Sequence, residues 1–160
     1  MENDERLVFL VEKLKELDNS YFDEFYELTK KLVYYICYSI VKRHADAEDL
    51  LQETYLDFLK HIKRVNTNKP IIAYILRIAR NKSLNFIKKH KRIEISENLD
   101  IVDNTQIEKI EDSELVETMK KILNTNEFEV VIMHVVLEMK HREIALVLKK
   151  PLGTITYIYK

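Results

Sequence analysis

Glycine is nearly absent from this sequence. Gly153 is the only one in 160 residues, accompanied by two prolines, Pro70 and Pro151, and no tryptophan. A many-stranded sheet needs a tight turn at each reversal, and Gly and Pro supply most of those turns. Their scarcity excludes a sheet-rich fold, while abundant Leu, Ile, Lys and Glu favour helix throughout. Cys37 is the single cysteine, so no disulfide within the chain is possible. It sits at apolar helical spacing, where a free thiol behaves as a small hydrophobe, as suits a reducing compartment. There is no long apolar run, and Met1-Glu2-Asn3-Asp4-Glu5-Arg6 is acidic rather than basic. Neither a signal peptide nor a spanning helix is expected, which points to a cytoplasmic protein without membrane insertion. Chemistry-bearing patterns are missing too. His44, His61, His90, His134 and His141 are scattered without a metal-ligand cadence, and the chain holds no phosphate-binding glycine loop or nucleophile elbow. No metal, no cofactor and no enzymatic activity are expected.

What is present is helical periodicity. Leu7, Leu10, Val11, Leu14 and Leu17 mark one amphipathic helix, and Phe22, Phe25, Thr29, Leu32, Ile36 and Ile40 a second after the Asn19-Ser20 break. The spacing predicts a third helix capped by Asp46, burying Ala47, Leu50, Leu51, Thr54, Phe58 and Ile62 and exposing Glu48, Gln52, Glu53 and Asp57. A fourth starts at Asn68-Lys69-Pro70, where proline's missing N–H has no helical partner to lose, and runs to about Lys91. After Ile93 the periodicity lapses. It resumes with Leu115, Met119 and Ile122, then Phe128, Val131, Ile132, Val135, Val136 and Met139. Two short helices follow, Arg142–Leu148 and one opened by Gly153, separated by a turn at Lys149–Leu152, as in a helix-turn-helix.

Charge divides the chain although its net value is only −1. From Lys60 to Arg92 there are eleven Lys and Arg and no Asp or Glu, whereas from Glu94 to Glu117 nine acidic residues face Lys109 alone. A surface that only needs solubility mixes both signs. A one-signed basic surface gains free energy by releasing counterions from phosphate, so the first block reads as a nucleic-acid footprint. An acidic helix face taken alone is ordinary solvated surface.

The order of these parts resembles the sigma-70 family of RNA polymerase sigma factors, in particular its extracytoplasmic-function group. Asp46-Ala-Glu-Asp-Leu-Leu-Gln-Glu53 and Ala73-Tyr-Ile-Leu-Arg-Ile-Ala-Arg-Asn81 are similar to that family's region 2, and Glu143-Ile-Ala145 with Gly153-Thr-Ile155 to its region 4. The resemblance implies an all-α protein of two small domains: region 2 over residues 1–92, a linker over 93–108, and a helix-turn-helix region 4 over 109–160. It implies core RNA polymerase and promoter DNA as partners, with an anti-sigma factor as a further one. Glu48, Asp49, Gln52 and Glu53 become polymerase-binding candidates, since acidic side chains on a rigid helix can pair with a basic partner at little entropic cost. Tyr74, Arg77, Arg80, Asn81, Lys82 and Asn85 would lie near melted −10 bases, and Lys88, Lys89, Lys91 and Arg92 near phosphates. Arg142, Gly153, Thr154, Thr156, Tyr157 and Lys160 would meet the −35 duplex.

The chain also departs from the family pattern. Tyr74 stands where Trp is usual and Asn85 where Asp is frequent, so an identical −10 preference is not implied. Lys149 and Lys150 replace a turn glycine and an apolar residue. A left-handed residue at Lys149 would cost about 1–2 kcal/mol, so a different turn is expected. Ile158 occupies a position that is often basic, and the sequence stops at Lys160 where relatives continue, so weaker −35 contact is expected. On the residues alone, two other readings stay open: a free-standing helix-turn-helix regulator, which would bind palindromic duplex without polymerase, and a helical protein-binding adaptor, which would bind no DNA.

Overall fold

A computed structural model describes residues 2–94 and 113–160, and among these the regular structure is entirely helical. Helices α1 (Glu2–Lys15), α2 (Phe22–Val41), α3 (His44–Lys60) and α4 (Ile71–Glu94) form the first group. Helices α5 (Ser113–Ile122), α6 (Thr125–Val131), α7 (His141–Leu148) and α8 (Leu152–Tyr159) form the second.

Helix α2 is the axis of the first group and packs on α1, α3 and α4. Its sequence says why: Phe25, Thr29, Val33, Ile36, Cys37 and Ile40 share one stripe, and toward the C-terminus Tyr35, Tyr38, Ser39 and Val41 are buried as well. A helix that is buried all round belongs inside a bundle. At its other end Phe25 stacks on Phe58 of α3, with centroids 5.0 Å apart, and Tyr55 meets Phe25 edge-on at 6.3 Å. Such pairs contribute about 0.5–1.5 kcal/mol each beyond their buried area. The Thr29 hydroxyl donates to the Phe25 carbonyl (2.7 Å) and meets the Tyr55 hydroxyl at 2.6 Å. The core's polar atoms at this point are therefore satisfied, as burial demands.

Helix α3 begins at His44, two residues before the expected start, with Arg43 in extended conformation at the cap. Asp46 is not the cap. It lies in the first helical turn, 3.5 Å from Arg43, where a carboxylate still complements the helix dipole. The expected apolar face is the buried one: Ala47, Leu50, Leu51, Thr54 and Phe58 are inside, joined by Tyr55. Ile62 is also buried, but in a separate 3-10 turn, Ile62–Arg64. In α4 the first helical bond runs from the Tyr74 N–H to the Pro70 carbonyl, at 3.3 Å. The helix continues past Lys91 to Glu94, since no glycine or proline interrupts it. The expected linker therefore loses its first two residues to α4, and the rest of it, 95–108, lies outside the described residues.

In the second group, Asn124 and Glu127 form a reciprocal cap on α6: the Glu127 N–H reaches Asn124 Oδ1 at 3.0 Å, and the Asn124 N–H reaches the Glu127 carboxylate at 2.9 Å. A π-helical turn, Ile132–Val136, follows and is closed by the Leu137 N–H on the Ile132 carbonyl at 3.0 Å. Phe128, Val130, Ile132, Met133, Ile144, Val147, Leu148 and Ile155 fill the interior of this group.

One expectation about the turn is overturned. Lys149 adopts the left-handed conformation after all (φ 52°, ψ 43°) and caps α7, its N–H bonded to the Ala145 carbonyl. Leu17, Lys42 and Glu138 are left-handed as well, with φ of 64°, 56° and 53°. Where glycine is missing, ordinary residues take the conformation that helix ends require, and packing of the flanking helices offsets the strain.

Candidate nucleic-acid interface

Helix α4 orients the basic block. Ala73, Leu76, Ala79 and Ser83 face inward. Arg77, Asn81, Asn85 and Lys88 recur three and four residues apart and so share a different face. Asn81, Asn85, Lys88 and Lys89 are exposed; Arg77 is half-buried, its Nε donating to the Ala73 carbonyl of its own helix at 3.3 Å. Tyr74 is half-buried, edge-on to Phe58 at 6.1 Å, while Phe86 stacks on His90 at 3.9 Å. Lys91 and Arg92 belong to α4 by backbone, but their side chains lie outside the described residues.

On α3, Glu48, Asp49, Gln52 and Glu53 are all exposed. The structure brings this acidic face to the edge of the basic one: Lys82 Nζ is 3.8 Å from Asp57 and 4.0 Å from Glu53. Glu48 also approaches His44 Nε2, at 3.2 Å. Cys37 is fully buried between the two helices, and burial pushes its thiol up to about 11, against hydrogen bonds from Ser83 and Thr54.

In the helix-turn-helix, Arg142, Gly153, Thr154, Tyr157 and Lys160 are exposed, Tyr157 by 82%. Thr156 is half-buried and bonds back to the Leu152 carbonyl at 3.0 Å. A Cβ added at Gly153 would meet nothing within 4 Å, so the fold itself does not require glycine there.

Arg80 is set apart from the other basic residues. Its Nε donates to Glu129 of α6 at 3.1 Å, and the two side chains are only 19% and 2% exposed. Further contacts join the helix groups: the Tyr38 hydroxyl donates to Glu117 at 2.7 Å, and Lys120 Nζ donates to the Lys42 carbonyl at 3.0 Å and to the Tyr38 hydroxyl at 3.3 Å, while α2 and α4 also pack on α6 and α7. Glu129 carried no signal in the sequence, where it is one acid in an apolar run. His134 and His141 also meet, with ring centroids 4.6 Å apart, beside Tyr159. Sequence spacing did not show that pairing either.

Comparison with known proteins fits this arrangement. Residues 25–93 match the family model described as Sigma-70 region 2. The chain is 35% identical over 78 residues to the ECF RNA polymerase sigma factor SigM of Bacillus subtilis, covering 48% of this chain and 47% of that protein. It is 26% identical over 81 residues to SigW of the same organism, covering 51% of this chain and 43% of that protein. The chain thus spans about half the length of these curated relatives. Among solved structures, CnrH in complex with the cytosolic domain of CnrY superposes with a TM-score of 0.70 at 17% identity, over 95% of this chain and 88% of that one. The sigma factor RpoE of Bartonella quintana, in complex with the anti-sigma factor NepR, superposes with a TM-score of 0.69 at 17% identity, over 86% of this chain and 89% of that one. At that identity the two structures speak for the fold.

Proposed function

We propose, on the match of residues 25–93 to Sigma-70 region 2, that the chain is a sigma factor of the extracytoplasmic-function group of the sigma-70 family. It binds core RNA polymerase and directs initiation at particular promoters. The observation that carries this reading is the pairing of two opposite faces on adjacent helices: the exposed Glu48, Asp49, Gln52 and Glu53 of α3, beside the basic face of α4, which has no acid before Glu94. Solvated surface does not sort its charges in this way, whereas a protein that must hold polymerase with one face and DNA with the other does.

In this reading α3 docks on polymerase. Tyr74, Arg77, Arg80, Asn81, Lys82 and Asn85 serve the melted −10 strand, and Lys88, Lys89, Lys91 and Arg92 hold its phosphates. Helix α8 enters the −35 duplex through Thr154, Thr156, Tyr157 and Lys160, with Gly153 allowing close backbone approach and Arg142 gripping phosphate from α7. Regions 2 and 4, divided over residues 1–92 and 109–160 with a linker at 93–108, bind as two tethered sites, so the spacing between promoter elements becomes part of the specificity. The protein works in the cytoplasm, where an anti-sigma factor is a further partner.

The test is co-purification with core polymerase followed by promoter opening, read from a fluorescent base within the −10 element. A stable complex that opens some promoters and not others is expected. A chain that binds palindromic duplex by itself and ignores polymerase would be a free-standing regulator instead.

A further inference from the structure

Phe86 and His90 stand one helical turn apart on α4, so their side chains lie one above the other on the same face. Their ring centroids are 3.9 Å apart and their planes only 23° from parallel. Phe86 is half-buried against the core, whereas His90 is exposed. The core thus holds the inner ring, the inner ring backs the outer one, and the far face of the imidazole is left to solvent. His90 is also fastened at its edge, since Nδ1–H donates to the Phe86 carbonyl at 3.0 Å. Fastening an exposed side chain in this way adds little to helix stability. What it supplies is a flat ring held ready, and every nucleobase has a π-face that can stack on one. The surroundings favour nucleic acid: Lys82 and Lys89 lie one turn to either side of Phe86, Lys88 is exposed beside them, and α4 has no acid before Glu94. Tyr74, the other ring of the basic block, is turned edge-on to Phe58 at 6.1 Å. It stands 16 residues before His90, about 24 Å along the helix, so the two rings address different nucleotides.

We propose that Phe86 and His90 form a stacking platform for one unpaired base of promoter DNA, at the end of the melted segment nearest Lys88 and Lys89. His90 touches the base, and Phe86 positions His90. The proposal rests on the sigma-factor reading and adds two residues to it. A purine is favoured, because its larger ring overlaps the imidazole more, so the preference comes from stacking rather than from hydrogen bonds to base edges.

The experiment uses holoenzyme of the full chain with core polymerase at pH 8, where an ordinary imidazole is neutral. Fork-junction DNA carries 2-aminopurine at successive non-template positions through and just upstream of the −10 element. One position should be quenched in the wild-type complex and lose that quenching with His90→Ala, with affinity lower by about tenfold, the effect of one lost base–ring stack. The salt slope should not change, since no phosphate contact is lost. His90→Phe, which keeps a ring, should retain quenching and affinity. Phe86→Leu, which leaves an apolar side chain against the core, should lose part of both, with melts checking the fold of each variant. An abasic site at the quenched position should cost the wild-type complex about tenfold and the His90→Ala complex nothing further. Quenching that His90→Ala leaves intact at every position would overturn the platform. So would a reduced salt slope in His90→Ala with affinity restored by His90→Lys, which would make His90 a phosphate contact. If the wild-type chain shows no polymerase-dependent binding to any promoter, the sigma-factor reading fails and the platform with it.

Discussion

Lys82 of α4 lies 3.8 Å from Asp57 of α3, at the seam where the basic and acidic faces meet. The two side chains are 26% and 40% exposed, and a pair that open to water contributes at most about 1 kcal/mol. Lys82→Ala should therefore leave the melting temperature nearly unchanged while weakening promoter-DNA binding by the holoenzyme. Melts and filter binding measure the two; a large loss of stability with normal binding would make Lys82 a structural residue only.

The left-handed residue at the end of α7 gives a stability prediction. Lys149 carries a strain of about 1–2 kcal/mol that glycine would not, although glycine loses more backbone freedom on folding, about 0.5–1 kcal/mol. Lys149→Gly should thus stabilise the chain by about 0.5–1 kcal/mol, read as a higher urea midpoint at unchanged slope. A lower midpoint would mean that the lysine side chain contributes more than its backbone costs.

Much of the fold was legible because its signals are local. The stripe Phe22, Phe25, Thr29, Leu32, Ile36, Ile40 and the face Ala47, Leu50, Leu51, Thr54, Phe58 follow from helical spacing, and the structure buries both except for Phe22 and Leu32, which are half-buried. The exposure of Glu48, Asp49, Gln52 and Glu53 is the other side of the same periodicity. Two classes of feature were not legible. The turn at Lys149 was expected to change for want of glycine, yet tertiary packing imposed the left-handed residue. The contact of Arg80 with Glu129 joins residues 49 positions apart, and no periodicity within one helix reports which flank of it another group of helices will cover.

Cys37 supplies a test of the core. Its thiol is pushed from 9.0 up to about 11 by burial. A group whose pKa is raised on folding contributes stability that is fully present below its unfolded value and is lost as pH rises through the folded value. Stability should accordingly fall between about pH 9 and 11, and the native thiol should resist a disulfide reagent at pH 8 until denaturant is added. Prompt labelling of the native chain at pH 8 would show that the junction of α2, α3 and α4 opens readily.

Lys88 and Lys89 are exposed toward the C-terminal end of α4, and in the proposed function they contact phosphate and so carry no sequence information. Replacing each by Ala should weaken holoenzyme binding alike on all promoters and lower the magnitude of the salt slope by about 0.7 per contact for single-stranded DNA. Weakening on one promoter alone would assign them to base readout.

If the α3 face serves polymerase and the α4 face DNA, run-off transcription with core polymerase will separate the wild-type chain from Glu53→Lys. Glu53 is exposed on α3, so reversing it should change stability by no more than about 0.5 kcal/mol. At a polymerase interface the same change loses a partner and adds repulsion, costing several kcal/mol. Promoter-specific transcripts are expected with the wild-type chain, and none with Glu53→Lys despite an unchanged melt. No transcript from any promoter with wild-type protein, or full transcription by the variant, would contradict that division of faces.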